Sequence, residues 1–217
     1  DPEMIYQTNI GLVRQLIQAM ETENVTPHII FSSSTQEERD NQYAKSKKEG
    51  RSLFTEWAHK HNALFTGLII PNVFGPFGAP YYNSVIATFS HQLTHNETPQ
   101  IDKDGMLKLI YVGELVKEIF KIIINKQENH YLLIPFSHES KVSEILRVLE
   151  GYKMLYFEKN MFPEISNDFE FNLFNTFRSY FDNKNYFPVS LKMNTDNRGT
   201  FVETVKKMTG GQLSFST

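Results

Sequence analysis

The chain has 217 residues, 40% of them apolar and 22% charged, with a formal net charge of -3. That composition belongs to a folded globular protein, and the nearly balanced charge excludes a broad basic field for nucleic acid or an anionic membrane surface. The absence of cysteine excludes a disulfide scaffold, a thiolate nucleophile and a zinc site built on thiolates.

In chain order, Ile5, Ile10, Leu12, Val13, Leu16, Ile17 and Met20 fall at helical spacings and predict a helix over 3–21 with one buried face. Pro27 stops it, and His28-Ile29-Ile30-Phe31 before three serines reads as a buried strand. A polar loop to Asp40 leads into a long helix from about Asn41 to His61, then a second buried strand, Ala63 to Ile70. Helix, strand, helix, strand, with no polar alternation in either strand, predicts a parallel sheet with helices on its faces. The Gly/Pro-rich loop Pro71 to Pro80 follows a strand end, where open α/β sheets place their ligands.

Further on, a helix is expected near Ser84 to His95, a polar stretch over Thr98 to Lys108 and a helix from Val112 to Asn125. A strand at Tyr131 to Ile134 and a helix from a cap-like Ser140 to about Leu149 follow. Phe169, Leu173, Phe177 and Phe181 carry a helical spacing. From Leu191 the texture changes to a polar turn at Asn194 to Gly199 and strands at Phe201 to Val205 and Leu213 to Phe215, so a boundary is expected near Tyr186. No run approaches the ~20 apolar residues of a spanning helix, and the first twenty residues do not read as a signal peptide, so no membrane partner and a cytoplasmic location are expected.

The residues that carry chemistry are Ser32-Ser33-Ser34 at a strand end, followed by Tyr43 and Lys47 at the start of a helix. Tyr and Lys four apart lie on one helix face, so an ammonium sits beside the phenol and draws its pKa down from an unperturbed value of ~10. That makes the phenol a usable acid or base, and a serine hydroxyl at the neighbouring strand end can align a carbonyl for it. The spacing alone is weak, since Tyr180 and Lys184 repeat it in a Phe-rich segment with no serine strand before it.

Taken in order, Ser32-Ser33-Ser34, Tyr43-Ala44-Lys45-Ser46-Lys47 and Pro71-Asn72-Val73-Phe74-Gly75-Pro76 resemble the extended short-chain dehydrogenase/reductases, the sugar-nucleotide epimerase/dehydratase group. The resemblance implies a Rossmann-like, doubly wound parallel sheet and a catalytic triad of Ser34, Tyr43 and Lys47. It places Thr8, Asn9, Ser33, Tyr43, Lys47 and Pro71 at the cofactor, NADP(H) or NAD(H), and Ser34, Asn72 and Asn83 at the sugar nucleotide. Asn72 and Asn83 read equally well as turn and helix-cap residues. Only nine positions separate Ser34 from Tyr43, and this short loop, with Tyr82 to Phe89 and Ile110 to Val116, is similar to the branch that reduces a 4-keto UDP-amino sugar for capsular polysaccharide and carries a C-terminal cupin epimerase. Met193 to Glu203 and Gly211-Gln212-Leu213-Ser214 resemble the entrance to that cupin.

The resemblance therefore implies a division into residues 1–185, the C-terminal two-thirds of a reductase domain with its sugar-binding part, and 186–217, a linker and the first strands of a cupin. The Gly-rich turn that holds a dinucleotide pyrophosphate is not among these residues, and the chain opens on Asp1-Pro2 and closes in a strand-like run, so an excerpt of a longer chain is expected. The function implied is reduction of a UDP-4-keto-6-deoxy amino sugar, with a redox-neutral 4-epimerase or dehydratase, or a non-catalytic sugar-nucleotide-binding or dimer scaffold, as alternatives. A homodimer through the first helix and the Tyr43 helix is implied by the same analogy. Ile69 and Leu107 stand where relatives often carry arginine, which leaves Lys103 or Lys108 as cations for a diphosphate. His91 and His95 lack a third ligand, so no metal is expected. Gly75 to Gly78 and Gly210-Gly211 lack the strand and helix of a phosphate loop. Phe54 and Trp57 read as core or as part of a dimer face.

Overall fold

A computed structural model describes residues 1–207 and 212–217, so Gly210 and Gly211 lie outside the described residues. The chain divides into two compact units, residues 1–73 with 112–136 and residues 74–111 with 137–217.

The first unit begins with helix α1 (Pro2–Thr22), whose first turn is closed by Asp1 accepting from the Glu3 amide at 2.9 Å, with Pro2 at the position where its missing N–H costs nothing. Strand β1 (Ile29–Ser34) follows, and it takes in all three serines that the sequence had left at its end. Helix α2 (Gln42–His61) is capped by the Asn41 side chain, 2.8 Å from the Ala44 amide, and ends at Asn62 in the left-handed region. Strand β2 (Phe65–Ile70) is buried along its whole length. It lies between β1 and β5 (Asn129–Leu133), parallel to both, in the order β1-β2-β5. The continuous apolar run of β2 is what a central strand covered on both faces requires. Helix α4 (Val112–Asn125) completes the unit. Phe54 and Trp57 of α2 pack with Val13 of α1 and Phe65 of β2 in one core cluster.

The second unit contains helix α3 (Val85–Thr94), capped by Ser84, and the antiparallel strands β4 (Met106–Tyr111) and β6 (His138–Lys141); the short strand β3 (Asn72–Phe74) lies at its boundary. The chain passes from one unit to the other within β3. Strand β4 begins inside the polar stretch Thr98 to Lys108 and runs beyond it to Tyr111; exposed Met106 and Lys108 hide its start, and its buried residues are Leu109 and Ile110. Ser140 lies in β6 and not at a helix cap: its hydroxyl donates to Glu144, which also accepts from the Lys141 amide and so opens helix α5 (Val142–Tyr152).

A π-helical segment (Lys153–Glu158) extends α5, and helix α6 (Asp168–Arg178), capped by Asn167, buries Leu173, Phe174 and Phe177. These residues with Tyr152, Tyr156, Phe157 and Phe181 form an aromatic core of tilted and edge-to-face rings. After the short helix α7 (Asn183–Tyr186), strand β8 (Met193–Asp196) turns tightly into β9 (Gly199–Lys207). The turn expected over Asn194 to Gly199 is narrower: Asn194 to Asp196 belong to β8, and only Asn197 and Arg198 form the tip of a hairpin, with Gly199 opening β9 at φ 140°, where a side chain would be strained. Strand β10 (Gln212–Ser216) pairs antiparallel with β9, whose far end runs parallel to β7 (Met161–Phe162). Among the described residues no helix is long and apolar enough to cross a membrane.

Candidate active site

In the first unit the carboxyl ends of β1 and β2 lie side by side, Ser34 level with Ile70, and the chain leaves each of them towards residues singled out from the sequence. Successive residues of a strand face opposite ways, so the three serines have different fates. Ser32 is joined through its carbonyl, which accepts from Lys47 Nζ at 3.0 Å. Ser33 is buried and its hydroxyl donates inward to Glu37. Ser34 is half-buried; its Oγ accepts from the Gln36 amide at 3.1 Å and its carbonyl from the Glu37 amide at 3.1 Å, which fixes its place at the head of the loop.

Tyr43 stands in the first turn of α2, at the positive end of the helix dipole, and Lys47 one turn later. The Lys47 ammonium is 5.8 Å from the centre of the Tyr43 ring and 5.4 Å from that of Phe31. Burial lowers its pKa below the ordinary lysine range, because desolvation penalises the charged form. Lys47 therefore stands against both the Tyr43 ring and the Ser32 carbonyl of the serine strand. An ammonium beside a phenol can assist the phenol in giving a proton to a carbonyl oxygen.

Asn9 of α1 donates to Ser46 Oγ at 2.9 Å, and that hydroxyl donates to the Tyr43 carbonyl at 2.8 Å, so Asn9 ties α1 to the first turn of α2. Thr8 beside it is exposed, and Pro71 is buried immediately after β2. Asn72 opens β3, and Asn83, exposed, belongs to the second unit, one residue before the cap of α3. The second Tyr/Lys pair is not on one helix: Tyr180 follows α6 and donates to the Gly78 carbonyl at 2.7 Å, whereas Lys184 lies in α7. His91 and His95 stack on each other with ring centres 3.9 Å apart, and no group of three metal-ligating side chains occurs among the described residues. Ile69 is core, and Lys103 and Lys108 are exposed.

Sequence reasoning missed three residues that build this site. Glu37 accepts from Ser33 and pairs with Arg51 of α2, and Gly67 of β2 leaves the space that the Arg51 side chain fills. Arg51 could have been found, since 43, 47 and 51 share one helix face. Glu37 could not, because nothing in Gln36-Glu37-Glu38-Arg39-Asp40 says which carboxylate is buried.

Residues 1–133 match the model of the NAD dependent epimerase/dehydratase family. Over its full length the chain is 27% identical to the UDP-2-acetamido-2,6-beta-L-arabino-hexul-4-ose reductase of Pseudomonas aeruginosa. It superposes on the capsular polysaccharide assembling protein CapF from Staphylococcus aureus with a TM-score of 0.81 and 33% identity over 94% of the chain. The chain spans 58% of the length of that reductase and 56% of CapF. A UDP-glucose 4-epimerase from Thermotoga maritima, 18% identical, shares the fold with a TM-score of 0.70 over 83% of this chain and 71% of its own. With more than half of its residues in the matched segment and a mixed α/β, Rossmann-like fold around a parallel sheet, the chain belongs to the NAD dependent epimerase/dehydratase family.

Proposed function

We propose that the protein containing this chain reduces the 4-keto group of a UDP-4-keto-6-deoxy amino sugar, a precursor of capsular or other surface polysaccharide, in the cytoplasm. The observation that carries the reading is the Lys47 ammonium, fixed 3.0 Å from the Ser32 carbonyl and facing the Tyr43 ring at the end of the parallel strands. In this reading Ser34 Oγ donates to the substrate carbonyl oxygen and aligns it. Tyr43 gives that oxygen its proton, and Lys47 holds positive charge beside the phenol while the negative charge grows.

The residues fit a nicotinamide ribose: an ammonium has three donors, the Ser32 carbonyl engages one, and the side chain is only half-buried. Lys47, with Thr8, Asn9, Ser33 and Pro71, is assigned to the cofactor side, NADP(H) before NAD(H). Since the Ser33 hydroxyl is engaged by Glu37, its backbone is the part assigned to the cofactor. When bound, the nicotinamide supplies the hydride. Asn72 and Asn83 are assigned to the sugar nucleotide. A division at residue 185 and a cupin beginning in 186–217 are supported by the greater length of both relatives, with β9 pairing back to β7 across that boundary. A homodimer through α1 and α2 is supported by Leu12 and Leu16, which α1 leaves exposed.

The test is Tyr43→Phe in the full-length protein, assayed with NADPH and a UDP-4-keto-6-deoxy amino sugar. Loss of a general acid is expected to lower kcat by about 100-fold or more, with cofactor binding retained. Undiminished turnover would refute the assignment.

A further inference from the structure

The inner face of the serine strand carries an ion pair that the proton transfer itself does not use. Glu37 is 4% exposed and paired with Arg51: burial alone would raise its pKa, but Arg51 and the Ser33 hydroxyl outweigh burial and hold the carboxyl below its ordinary value. The pairing is a two-point fork, Arg51 Nε to Oε1 at 3.0 Å and Nη2 to Oε2 at 2.9 Å. Arg51 Nη1 donates further to the His130 carbonyl at 3.3 Å, and the guanidinium lies 4.8 Å from the centre of the Tyr131 ring.

To reach these partners the side chain crosses β2 above Gly67. A Cβ there would lie 2.8 Å from Arg51 Cδ and 2.6 Å from the His130 carbonyl oxygen, so this strand glycine has a definite steric purpose. Arg51 thereby lies against β2 at Gly67 and β5 at His130, and it is linked to β1 through Glu37, which accepts from Ser33.

A buried ion pair is a poor stabiliser compared with apolar residues of the same size, so its place calls for another reason. That reason lies in what it connects. Arg51 is one turn beyond Lys47 and two beyond Tyr43, and the Glu37 amide holds the Ser34 carbonyl. Lys47 to Ser32 and Arg51 through Glu37 to Ser33 are two rungs between α2 and the serine strand, placed just behind Ser34 and Tyr43.

We propose that Glu37 and Arg51 are positioning residues for the reduction, which hold Ser34 in register with Tyr43 and Lys47 while touching neither substrate nor cofactor. The proposal rests on the reductase reading above. It is tested in the full-length protein with Glu37→Gln, Glu37→Asp and Arg51→Lys, alongside Tyr43→Phe, by steady-state reduction of a UDP-4-keto-6-deoxy amino sugar, NADPH titration and thermal unfolding. A small misalignment of reacting groups is expected to lower kcat of folded Glu37→Gln by about 10–100-fold while KM and the NADPH Kd stay within about twofold of the parent. Glu37→Asp, which keeps the charge, recovers part of the loss. Arg51→Lys, which keeps charge but not the fork, loses kcat in the same way, and it decides the matter if Glu37→Gln does not fold. Parental kcat in a folded Glu37→Gln or Arg51→Lys protein, or a loss that only follows the unfolded fraction, overturns the proposal while Tyr43→Phe stays inactive. Parental turnover in Tyr43→Phe instead overturns the reductase reading.

Discussion

Side chains of one type do different work here because a strand turns alternate residues to opposite faces. Ser33 is spent on Glu37 and Ser34 heads the loop, a division that three identical letters in a row do not reveal. The Tyr43 and Lys47 pair was legible because a helix has a fixed period, whereas Glu37 was not, because burial of one acid in a charged loop is decided by Arg51, fourteen residues away. The same pair makes stability depend on pH. A carboxyl held below its ordinary 4.5 in the folded state stabilises at pH above that value, and the contribution is lost as pH falls through the lower, folded one. Thermal unfolding followed from pH 7 to pH 3 should therefore fall less steeply for Glu37→Gln than for the parent; an unchanged slope would show that Glu37 does not carry this dependence.

Elements with one strong period were readable and those defined by partners were not. Helices α1 and α6 follow from apolar spacing, and α4 has the predicted bounds, Val112–Asn125. Strand β4 was hidden by its exposed Met106 and Lys108, and the π-helical segment by having no period distinct from the helix it extends. The regular phenylalanines of α6 matter through what they pack against: Phe177 is fully buried among Tyr152, Phe157 and Phe181, whereas Phe171 on the same helix is 55% exposed. Phe177→Ala is expected to lower the unfolding free energy by about 3–5 kcal/mol, and Phe171→Ala by no more than about 0.5 kcal/mol. Urea unfolding of the two variants measures the difference, and equal effects would contradict this placement of the core.

At the scale of the molecule, the order of motifs along the chain told more than its length or composition. A 217-residue chain with balanced charge fits many proteins, but a serine-ended strand, a Tyr/Lys turn and a Gly/Pro loop after the next strand fit few. The two units distribute the proposed roles unevenly. Ser34, Tyr43, Lys47 and the Glu37 and Arg51 pair all lie in the unit that contains the parallel sheet, whereas Asn83 lies in the other. Chemistry is thus assigned to the unit whose strand ends were predicted to carry it, and part of sugar recognition to the unit with the aromatic core.

The most direct measurement of the central claim is the fate of a labelled hydride. The full-length protein would be incubated with a UDP-4-keto-6-deoxy amino sugar and NADPH carrying deuterium at the transferable position. The predicted result is stoichiometric oxidation of the cofactor, with deuterium at C4 of the sugar and with the transfer abolished by Tyr43→Phe. Conversion of the sugar with no net cofactor oxidation and no label at C4, or binding without conversion, would contradict it.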